Sequence, residues 1–181
     1  MNLEIRPLVS NDLEAIKIFT DQWIGLDYYE VSEIEQILEQ SQGCSLGAFK
    51  NSKLGAVRLT LAPGDWQKGF ERGLSPSKWS IPSDKMAYFK SLFVAESFQA
   101  NGLGLKLSLE SIRLLKNLGA EGILCHSWLE SPNNSSQRYL KKLGFDSVAE
   151  FPKFWFPIDY ECTRCSPQRC VCTAMEMVKY I

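Results

Sequence analysis

The alternation of apolar and polar positions predicts strands and helices that follow one another along the chain. Residues 3–9 alternate between the two types, as in a half-buried strand, and residues 13–23 repeat apolar side chains with the period of a helix. Ser32 and Glu35 have the spacing of a capping box, which predicts a second helix that ends near Gly43. The chain is therefore expected to begin with one strand and two helices.

The middle of the chain predicts further strands and one long connection. Two short apolar runs, residues 44–50 and 54–61, are separated by Asn-Ser-Lys, a composition that suits a hairpin turn. Residues 86–95 form the strongest strand candidate. Before them, residues 63–85 carry glycines, prolines and three large aromatic side chains without periodicity. This segment either covers a substrate or is fixed to the body of the protein by its aromatic side chains.

The second half of the chain continues the alternation of helices and strands. The predicted elements are a helix over residues 103–118, a strand over 122–128, a helix over 134–143 and strands over 146–151 and 173–180. Because the earlier hairpin excludes a wholly parallel sheet, we expect an α/β (α+β) fold. Its mixed, mostly antiparallel central sheet would have about seven strands flanked by about four helices. The whole chain, residues 1–181, is expected to form a single domain.

Composition indicates a compact globular protein and narrows its partners. Apolar residues make up 45% of the 181 residues, charged residues make up 23%, and the net charge is -1, which argues against disorder. Basic and acidic residues are balanced, so we expect no nucleic acid and no membrane as a partner. The first residues lack the pattern of a signal peptide, and we expect a cytoplasmic protein that is a monomer or a homodimer.

The segment between the predicted strand at 86–95 and the helix at 103–118 has the features of a phosphate-binding turn. Gly102 and Gly104 lie at the start of the helix, where backbone N–H groups lack partners and the helix dipole is positive. Glycines there let the oxygens of a pyrophosphate approach the backbone closely. The spacing fits neither a Walker loop nor a G-x-G-x-x-G dinucleotide motif. Alternatively, the glycines only allow the strand and the helix to pack closely.

Two segments of the sequence resemble signatures of the GNAT acetyltransferase superfamily. Residues 99–104, five residues after Val94, resemble its Q/R-x-x-G-x-G/A pyrophosphate loop, and residues 133–145 are similar to its asparagine-initiated helix that ends in K-L-G-F. The resemblance implies an acetyl-CoA-dependent N-acetyltransferase that acts on an amine of a small molecule or peptide by direct transfer in a ternary complex. The alternative is a non-catalytic acyl-CoA-binding sensor or interaction domain.

The resemblance also implies where acetyl-CoA would bind. In that family, a splay between the fourth and fifth strands admits the cofactor, and the acceptor enters from the opposite side. The backbone of the fourth strand would pair with the pantetheine arm, and the glycine turn would hold the pyrophosphate. The cofactor-binding residues implied in this way are Leu92, Phe93, Val94, Gln99, Ala100, Asn101, Gly102, Leu103, Gly104, Leu105, Asn133 and Lys142.

Candidates for the acid and the base of acetyl transfer are less sharply defined. The family often uses a tyrosine seven residues after the helix-starting asparagine to protonate the leaving thiolate, and here that position is Leu140. Tyr139 lies one residue earlier, about 100° around a helix, and is either this acid or an aromatic side chain that packs on the sheet. Glu96 and His126 are candidates for the base that takes the amine proton, and the alternative for His126 is a packed or surface-facing side chain.

A cluster of cysteines lies near the end of the chain. Cys162, Cys165, Cys170 and Cys172 occupy a short segment that precedes the last predicted strand. In a reducing compartment such clustering favours a metal over disulfides, and four thiolates would complete a structural, tetrahedral Zn²⁺ site. The alternatives are a redox-active pair at Cys162 and Cys165 or four unliganded thiols.

Overall fold

The computed structural model describes residues 3–70, 73–99 and 102–181. Within these residues the chain forms seven strands and four α-helices. The strands are β1 (Leu3–Pro7), β2 (Leu46–Lys50), β3 (Lys53–Leu61), β4 (Met86–Val94), β5 (Gly122–Trp128), β6 (Asp146–Phe151) and β7 (Ala174–Tyr180). The α-helices are α1 (Leu13–Trp23), α2 (Val31–Ser41), α3 (Leu103–Asn117) and α4 (Ser135–Lys142).

The strands form one mixed sheet in the order β1-β2-β3-β4-β5-β7-β6. Strands β4 and β5 run parallel, whereas all the other neighbouring pairs are antiparallel. Helix α3 provides the crossover that a parallel pair requires. The predicted α/β fold with a mixed, mostly antiparallel sheet is confirmed.

The helices cover both faces of the sheet. Ile16 of α1 and Ile34 of α2 are buried in a core that includes Leu59 and Tyr88. Alternate residues of the same strands face α3 and α4, so the two pairs of helices lie on opposite faces. The longest helix, α3, has 15 residues. Within the described ranges, no helix combines the length and the apolar character that crossing a bilayer would require.

The start of α2 differs from the prediction. Its first helical residue is Val31, and Glu30 is the N-cap, in an extended conformation and without a side-chain capping bond. Ser32 therefore lies inside the first turn, so the capping box predicted there is wrong. The preceding Tyr29 is buried, and its hydroxyl lies 2.7 Å from the hydroxyl of Ser91. Tertiary packing of Tyr29 thus accounts for the start of the helix better than the local motif does.

Strands β4 and β5 separate before they end, and this separation positions the site. Their register runs from Met86 opposite Gly122 to Phe89 opposite Cys125. Beyond these residues β4 continues to Val94 without pairing to β5. A shift in the β3–β4 register leaves Lys90 as an extra residue at the point of separation. The result is a V-shaped opening, with one free edge of β4 on one side and the end of β5 on the other.

The long connection between β3 and β4 is fixed to the α1/α2 face of the sheet. Trp66 and Trp79 are buried, and the indole N–H groups donate to the carbonyl oxygen of Met86 (2.6 Å) and to Oε1 of Glu176 (3.2 Å), respectively. The Trp66 ring also stacks on Tyr88, with 4.9 Å between the ring centroids. The aromatic side chains therefore hold this connection on the body of the protein, as one of the two interpretations of the sequence expects.

Candidate functional site

The turn between β4 and α3 has the backbone conformation that its glycines allow. Gly102 is the N-cap of α3 in a left-handed conformation (φ 63°, ψ 21°), which side chains with a Cβ rarely adopt. Apart from its chain neighbours, no atom of the described residues lies within 4 Å of a Cβ built on Gly102, so the space beside this glycine is open. A Cβ on Gly104 would lie 3.2 Å from Leu92, so this glycine lets α3 approach β4 closely.

The other described residues of the predicted cofactor turn differ in their contacts and in their exposure. The side-chain amide of Gln99 donates to the carbonyl oxygen of Val94 at 3.1 Å and closes the turn. Leu103 is buried in the core below α3, whereas Leu105 is 45% exposed. Leu103 can therefore offer a cofactor only its backbone. Two further predicted residues, Ala100 and Asn101, lie outside the described residues.

Residues along the sides of the opening were also predicted to contact the cofactor. Leu92, Phe93 and Val94 are half-buried in the part of β4 that does not pair with β5. Asn133 is exposed, has a left-handed backbone (φ 54°) and directly precedes the N-cap of α4. Lys142 lies in the last turn of α4, about 10 Å along the helix from its start. The structure therefore places Asn133 and Lys142 at opposite ends of α4.

A cation and two hydroxyl groups meet on the α3/α4 face of the sheet, where β4 and β5 separate. The Nε and NH2 groups of Arg58 donate to Oγ of Ser108 at 3.1 and 2.8 Å. The Tyr139 hydroxyl lies 2.7 Å from the same Oγ and donates to the carbonyl oxygen of Gly104 at 2.9 Å. The guanidinium lies over the ring of Phe89, at 4.2 Å from its centroid. Sequence reasoning missed Arg58, whose only signal is a single arginine within the otherwise apolar residues 54–59.

Leu140, which lies seven residues after Asn133, has a different environment from its neighbour Tyr139. Leu140 is buried in the core between α4 and the sheet. Tyr139 turns toward the first turn of α3 and is half-buried. Its hydroxyl group is therefore already held by α3, as one of the two interpretations of this residue expects. The role of Tyr139 as an acid stays a prediction.

His126 lies on the other face of the sheet, in a group of aromatic rings. Its Nε2 is 2.6 Å from the carbonyl oxygen of Gly73, and its Nδ1 is 3.0 Å from the Tyr88 hydroxyl. Because a carbonyl only accepts, Nε2 carries the proton and Nδ1 accepts from Tyr88. Phe154 stacks on the ring at 4.3 Å. Burial lowers the pKa of His126 to about 4, so the ring is neutral near pH 7.

We expect His126, which is neutral in the folded protein, to make the free energy of unfolding depend on pH. Between pH 6.5 and about 4, His126 is protonated in the unfolded chain but not in the folded protein. The unfolded state then binds more protons, so stability falls as pH decreases through this window, by roughly 3 kcal/mol in all. Urea unfolding of the wild type and of His126→Phe at several pH values measures the effect. The variant should show a flatter profile there, and identical profiles would contradict the assignment.

Glu96 and His126, the two candidates for the base, are not brought together. Glu96 is exposed and lies two residues after the end of β4, beside the glycine turn. Val94 is five residues beyond Phe89, about 16 Å along the strand from the closed end of the opening. Glu96 therefore lies near the end predicted to bind pyrophosphate. Its role as a base stays a prediction, as does that of His126.

Glu176 is a buried carboxylate that sequence reasoning missed. It lies on β7 directly opposite His126 and is 0% exposed. Its Oε1 accepts from the backbone N–H of Ser75 at 3.0 Å and from the Trp79 indole, while Oε2 has no partner among the described residues. Glu176 thus anchors the β3–β4 connection over the part of the sheet that carries His126.

The four predicted metal ligands converge. The sulfur atoms of Cys162, Cys165, Cys170 and Cys172 all lie within 4.8 Å of one another. In a tetrahedral zinc site with Zn–S distances of about 2.3 Å, the sulfur atoms are about 3.8 Å apart. The distance of 3.6 Å between Cys165 and Cys172 is close to this value. The residues present therefore fit a tetrahedral metal ion.

Hydrogen-bond donors surround the sulfur atoms of this cluster. Burial favours a protonated Cys162, but N–H groups of Arg164 and Cys165 and the Tyr160 hydroxyl outweigh it and lower the pKa of the thiol to about 7. The buried indole N–H of Trp128 has no oxygen or nitrogen acceptor among the described residues and faces Cys172. In contrast, burial raises the pKa of the Cys170 thiol, and it raises the pKa of Cys172 to about 12 although the Trp128 and Arg164 side chains act in the opposite direction. A metal ion that binds here would therefore have to displace the protons of these two thiols.

The cysteine cluster is connected to the α1–α2 loop by a row of tyrosines. The ring of Tyr160 packs edge-on against Tyr28 at 4.8 Å, and Tyr28 packs edge-on against Tyr29 at 4.6 Å. The Tyr29 hydroxyl in turn contacts Ser91 on β4, next to the point where β4 and β5 separate. The cluster therefore stabilises the loop that borders the opening on its α1/α2 side.

The glycine turn and the free edge of β4 together form a site that can hold an extended cofactor with a diphosphate group. This cofactor would lie between the diverging strands β4 and β5. The family model of the acetyltransferase (GNAT) family matches residues 12–145. The chain belongs to this family, and the acetyltransferase class of enzyme predicted from the sequence is confirmed. No curated protein matches the sequence significantly.

Solved structures with low sequence identity share the fold. Naa50 of Arabidopsis thaliana, in complex with a bisubstrate analogue, has a TM-score of 0.70 at 13% identity, with 100% of both chains covered. The polyamine N-acetyltransferase of Drosophila melanogaster has a TM-score of 0.69 at 13% identity, with 99% of this chain and 100% of that chain covered. The yncA protein of Salmonella typhimurium, with acetyl-CoA, has a TM-score of 0.67 at 18% identity, with 99% and 94% covered.

Proposed function

We propose that the protein transfers the acetyl group of acetyl-CoA to an amine of a small molecule or peptide, directly and within a ternary complex. The observation that carries the proposal is the V-shaped opening between β4 and β5, with the open glycine turn at its wide end. Membership of the acetyltransferase family supports the choice of cofactor. Similar structures were solved with acetyl-CoA and with a bisubstrate analogue that joins coenzyme A to a peptide.

The opening has separate places for the parts of the cofactor. The pyrophosphate would accept hydrogen bonds from the N–H groups at the start of α3, where the helix dipole also favours negative charge. The pantetheine arm would pair with the free edge of β4 at Leu92–Val94, as an added strand does. The thioester would then lie toward the closed end of the V, between Lys90 and α4.

Acetyl transfer needs a neutral amine and an acid for the leaving thiolate. We assign the acid to Tyr139, because its hydroxyl lies beside Gly104 and Ser108 of α3, on the α3/α4 side of the opening. His126 faces the acceptor side, but it can take the amine proton only if Tyr88 releases its Nδ1. Positioning of the amine beside the thioester would supply much of the remaining rate enhancement.

The α1/α2 face offers a path for the acceptor. A groove of about 430 Å³ lies between α2 and the β3–β4 connection. Glu33 and Lys90 form an ion pair of 3.2 Å on its wall, and Trp66 and Phe70 supply aromatic surface. Carboxylate and aromatic groups together suit the ammonium group of an approaching amine. A peptide N-terminus and a polyamine both carry such a group.

The transfer reaction can be measured directly. Protein, acetyl-CoA and a panel of polyamines, aminoglycosides and short peptides are mixed, and the release of free thiol is followed together with the mass of the acceptor. We expect thiol release that depends on at least one amine and equals the amount of acetylated product. Tight binding of acetyl-CoA with no turnover on any acceptor would contradict transfer and would support the alternative, a non-catalytic acyl-CoA sensor. Leu140 at the position of the family's tyrosine favours that alternative.

We also propose that the cysteine cluster binds one Zn²⁺. Four thiolates leave no open coordination position, so this ion would stabilise the fold and take no part in the reaction. The convergence of all four sulfur atoms, with a spacing close to that of a tetrahedral zinc site, supports this assignment. The row of tyrosines that leads from Tyr160 to Ser91 would then keep the acceptor side of the opening in place.

A further inference from the structure

Arg58 is a buried cation that no carboxylate neutralises within the described part of the chain. It is 3% exposed, and its side chain donates to the hydroxyl of Ser108. Burying a charge without an opposite charge destabilises a protein, and replacing such a group by an apolar side chain often increases stability. A leucine or methionine would suit the apolar surroundings of β3 better. The presence of arginine here therefore calls for a reason other than stability.

The guanidinium lies at the closed end of the V-shaped opening. Arg58 is the register partner of Leu92 on β4, and its side chain extends over the ring of Phe89. Phe89 and Cys125 form the last pair that joins β4 to β5. Beyond this pair the two strands diverge around the region where the proposed function places the thioester. Arg58 thus places a positive charge on the α3/α4 side of the closed end, near where the thiolate of coenzyme A would form.

Arg58 is connected to Tyr139 through the hydroxyl group of Ser108, and Tyr139 also faces the guanidinium directly. Both of its donor groups contact Oγ of Ser108, and the Tyr139 oxygen lies 2.7 Å from that Oγ. Arg58 therefore fixes Ser108, and Ser108 fixes the oxygen of Tyr139 at the first turn of α3. The groups that face the guanidinium are Ser108 from α3, Tyr139 from α4, Phe89 from β4 and Cys125 from β5.

We propose that Arg58 is a positioning residue that enables Tyr139 to protonate the leaving thiolate of coenzyme A. This inference rests on the proposed function. The amine nitrogen attacks the carbonyl carbon of the thioester, the C–S bond breaks, and its electron pair leaves on sulfur. The thiolate takes the proton of Tyr139, which until then is donated to Gly104. Ser108 can then donate to the phenolate, and the charge of Arg58 stabilises it.

Water takes up the proton that the amine loses and returns a proton to Tyr139. The new amide loses the extra proton of the attacking amine to water, and the Tyr139 phenolate takes a proton from water. The sum is an amine and acetyl-CoA giving an acetamide and the free thiol of coenzyme A. No step requires an oxidant, a metal or another reactant. Arg58 stays protonated throughout, since a guanidinium is not a proton donor at ordinary pH.

A purely structural role for Arg58 makes different predictions. In that case the side chain would simply attach α3 to the sheet through Ser108. Its replacement would lower stability, and any loss of activity would be independent of Tyr139. A role through Tyr139 instead predicts that Arg58 matters only while the Tyr139 hydroxyl is present.

A double-mutant cycle of Arg58→Met and Tyr139→Phe distinguishes the two roles. We expect each single variant to lower kcat by about 100-fold, with KM for acetyl-CoA changed by less than about threefold. The double variant should be no slower than the slower single variant. Arg58→Met should unfold at a temperature no lower than the wild type. Arg58→Lys, which keeps the charge, should recover part of kcat.

The control is Arg113→Met, because Arg113 lies on the exposed side of α3 and pairs with Glu110. It should leave kcat and KM unchanged. Effects of Arg58→Met and Tyr139→Phe that multiply, or an Arg58→Met variant with wild-type kcat, would overturn the inference. If Arg58→Met does not fold, Arg58→Gln replaces it in the cycle, with the same two outcomes. A wild type that binds coenzyme A but acetylates no amine would instead overturn the proposed function.

Discussion

Replacing Gly102 by valine is expected to weaken the binding of acetyl-CoA by about 100-fold or more while the protein stays folded. Gly102 has a φ of 63°, a conformation that a β-branched residue strongly disfavours. The turn would change its path, and the N–H groups at the start of α3 would no longer point at the pyrophosphate. Each hydrogen bond to a charged group contributes about 1.5–3 kcal/mol, so the loss of two accounts for this effect. Titration calorimetry measures the affinity.

The same helix supplies a matched control for this substitution. Gly119 follows the other end of α3 and also has a left-handed backbone, with a φ of 79°. Its chain neighbours aside, nothing in the described part of the chain lies within 4 Å of a Cβ built on it. Gly119→Val should therefore cause similar backbone strain, about 1–2 kcal/mol, without changing the affinity for acetyl-CoA. Equal losses of affinity in both variants would show that strain in α3, and not the turn itself, weakens binding.

Replacing Cys172 by alanine is expected to remove a bound zinc ion and to lower the melting temperature by at least about 10 °C. A structural zinc site contributes its binding free energy to folding, and three thiolates hold the ion far less tightly than four. Cys172 is also buried against Trp128, so its loss opens the packing around the cluster. Metal analysis of the purified protein and thermal unfolding measure the two effects.

Cys44 provides the control for the cysteine variant. Cys172 and Cys44 are each 1% exposed, but Cys44 lies in the core near Ala87, away from the cluster. Cys44→Ala should keep about one zinc ion per chain and should lose only the stability expected of a small cavity, about 1 kcal/mol. A Cys172→Ala variant that matches Cys44→Ala in metal content and melting temperature would contradict the zinc assignment.

The fold and the cofactor turn could be predicted because local sequence determines them. The hydrophobic period places β4 and α3 within about two residues of their actual ends. Gly102 has a left-handed conformation that few other residues adopt, so its identity already indicates the turn. The clustering of cysteines likewise indicates convergence, because the short segment between them limits how far apart the sulfur atoms can lie.

The chemistry of the site could not be predicted in the same way because it depends on contacts between distant segments. Arg58 and Ser108 are 50 residues apart in sequence, and nothing near either residue indicates that they meet. Glu176 meets Ser75 across 101 residues. The sequence places Tyr139 about 100° from the position of the family's tyrosine, but only the packing of α4 shows that its hydroxyl reaches α3.

The most direct test of the account is to compare the affinity of the protein for acetyl-CoA with its affinity for acetyl-pantetheine, which lacks the pyrophosphate. Both are measured by titration calorimetry under the same conditions. If the start of α3 holds the pyrophosphate, acetyl-CoA should bind one molecule per chain and at least about 100-fold more tightly than acetyl-pantetheine. Equal affinities for the two compounds, or no saturable binding of acetyl-CoA, would contradict it.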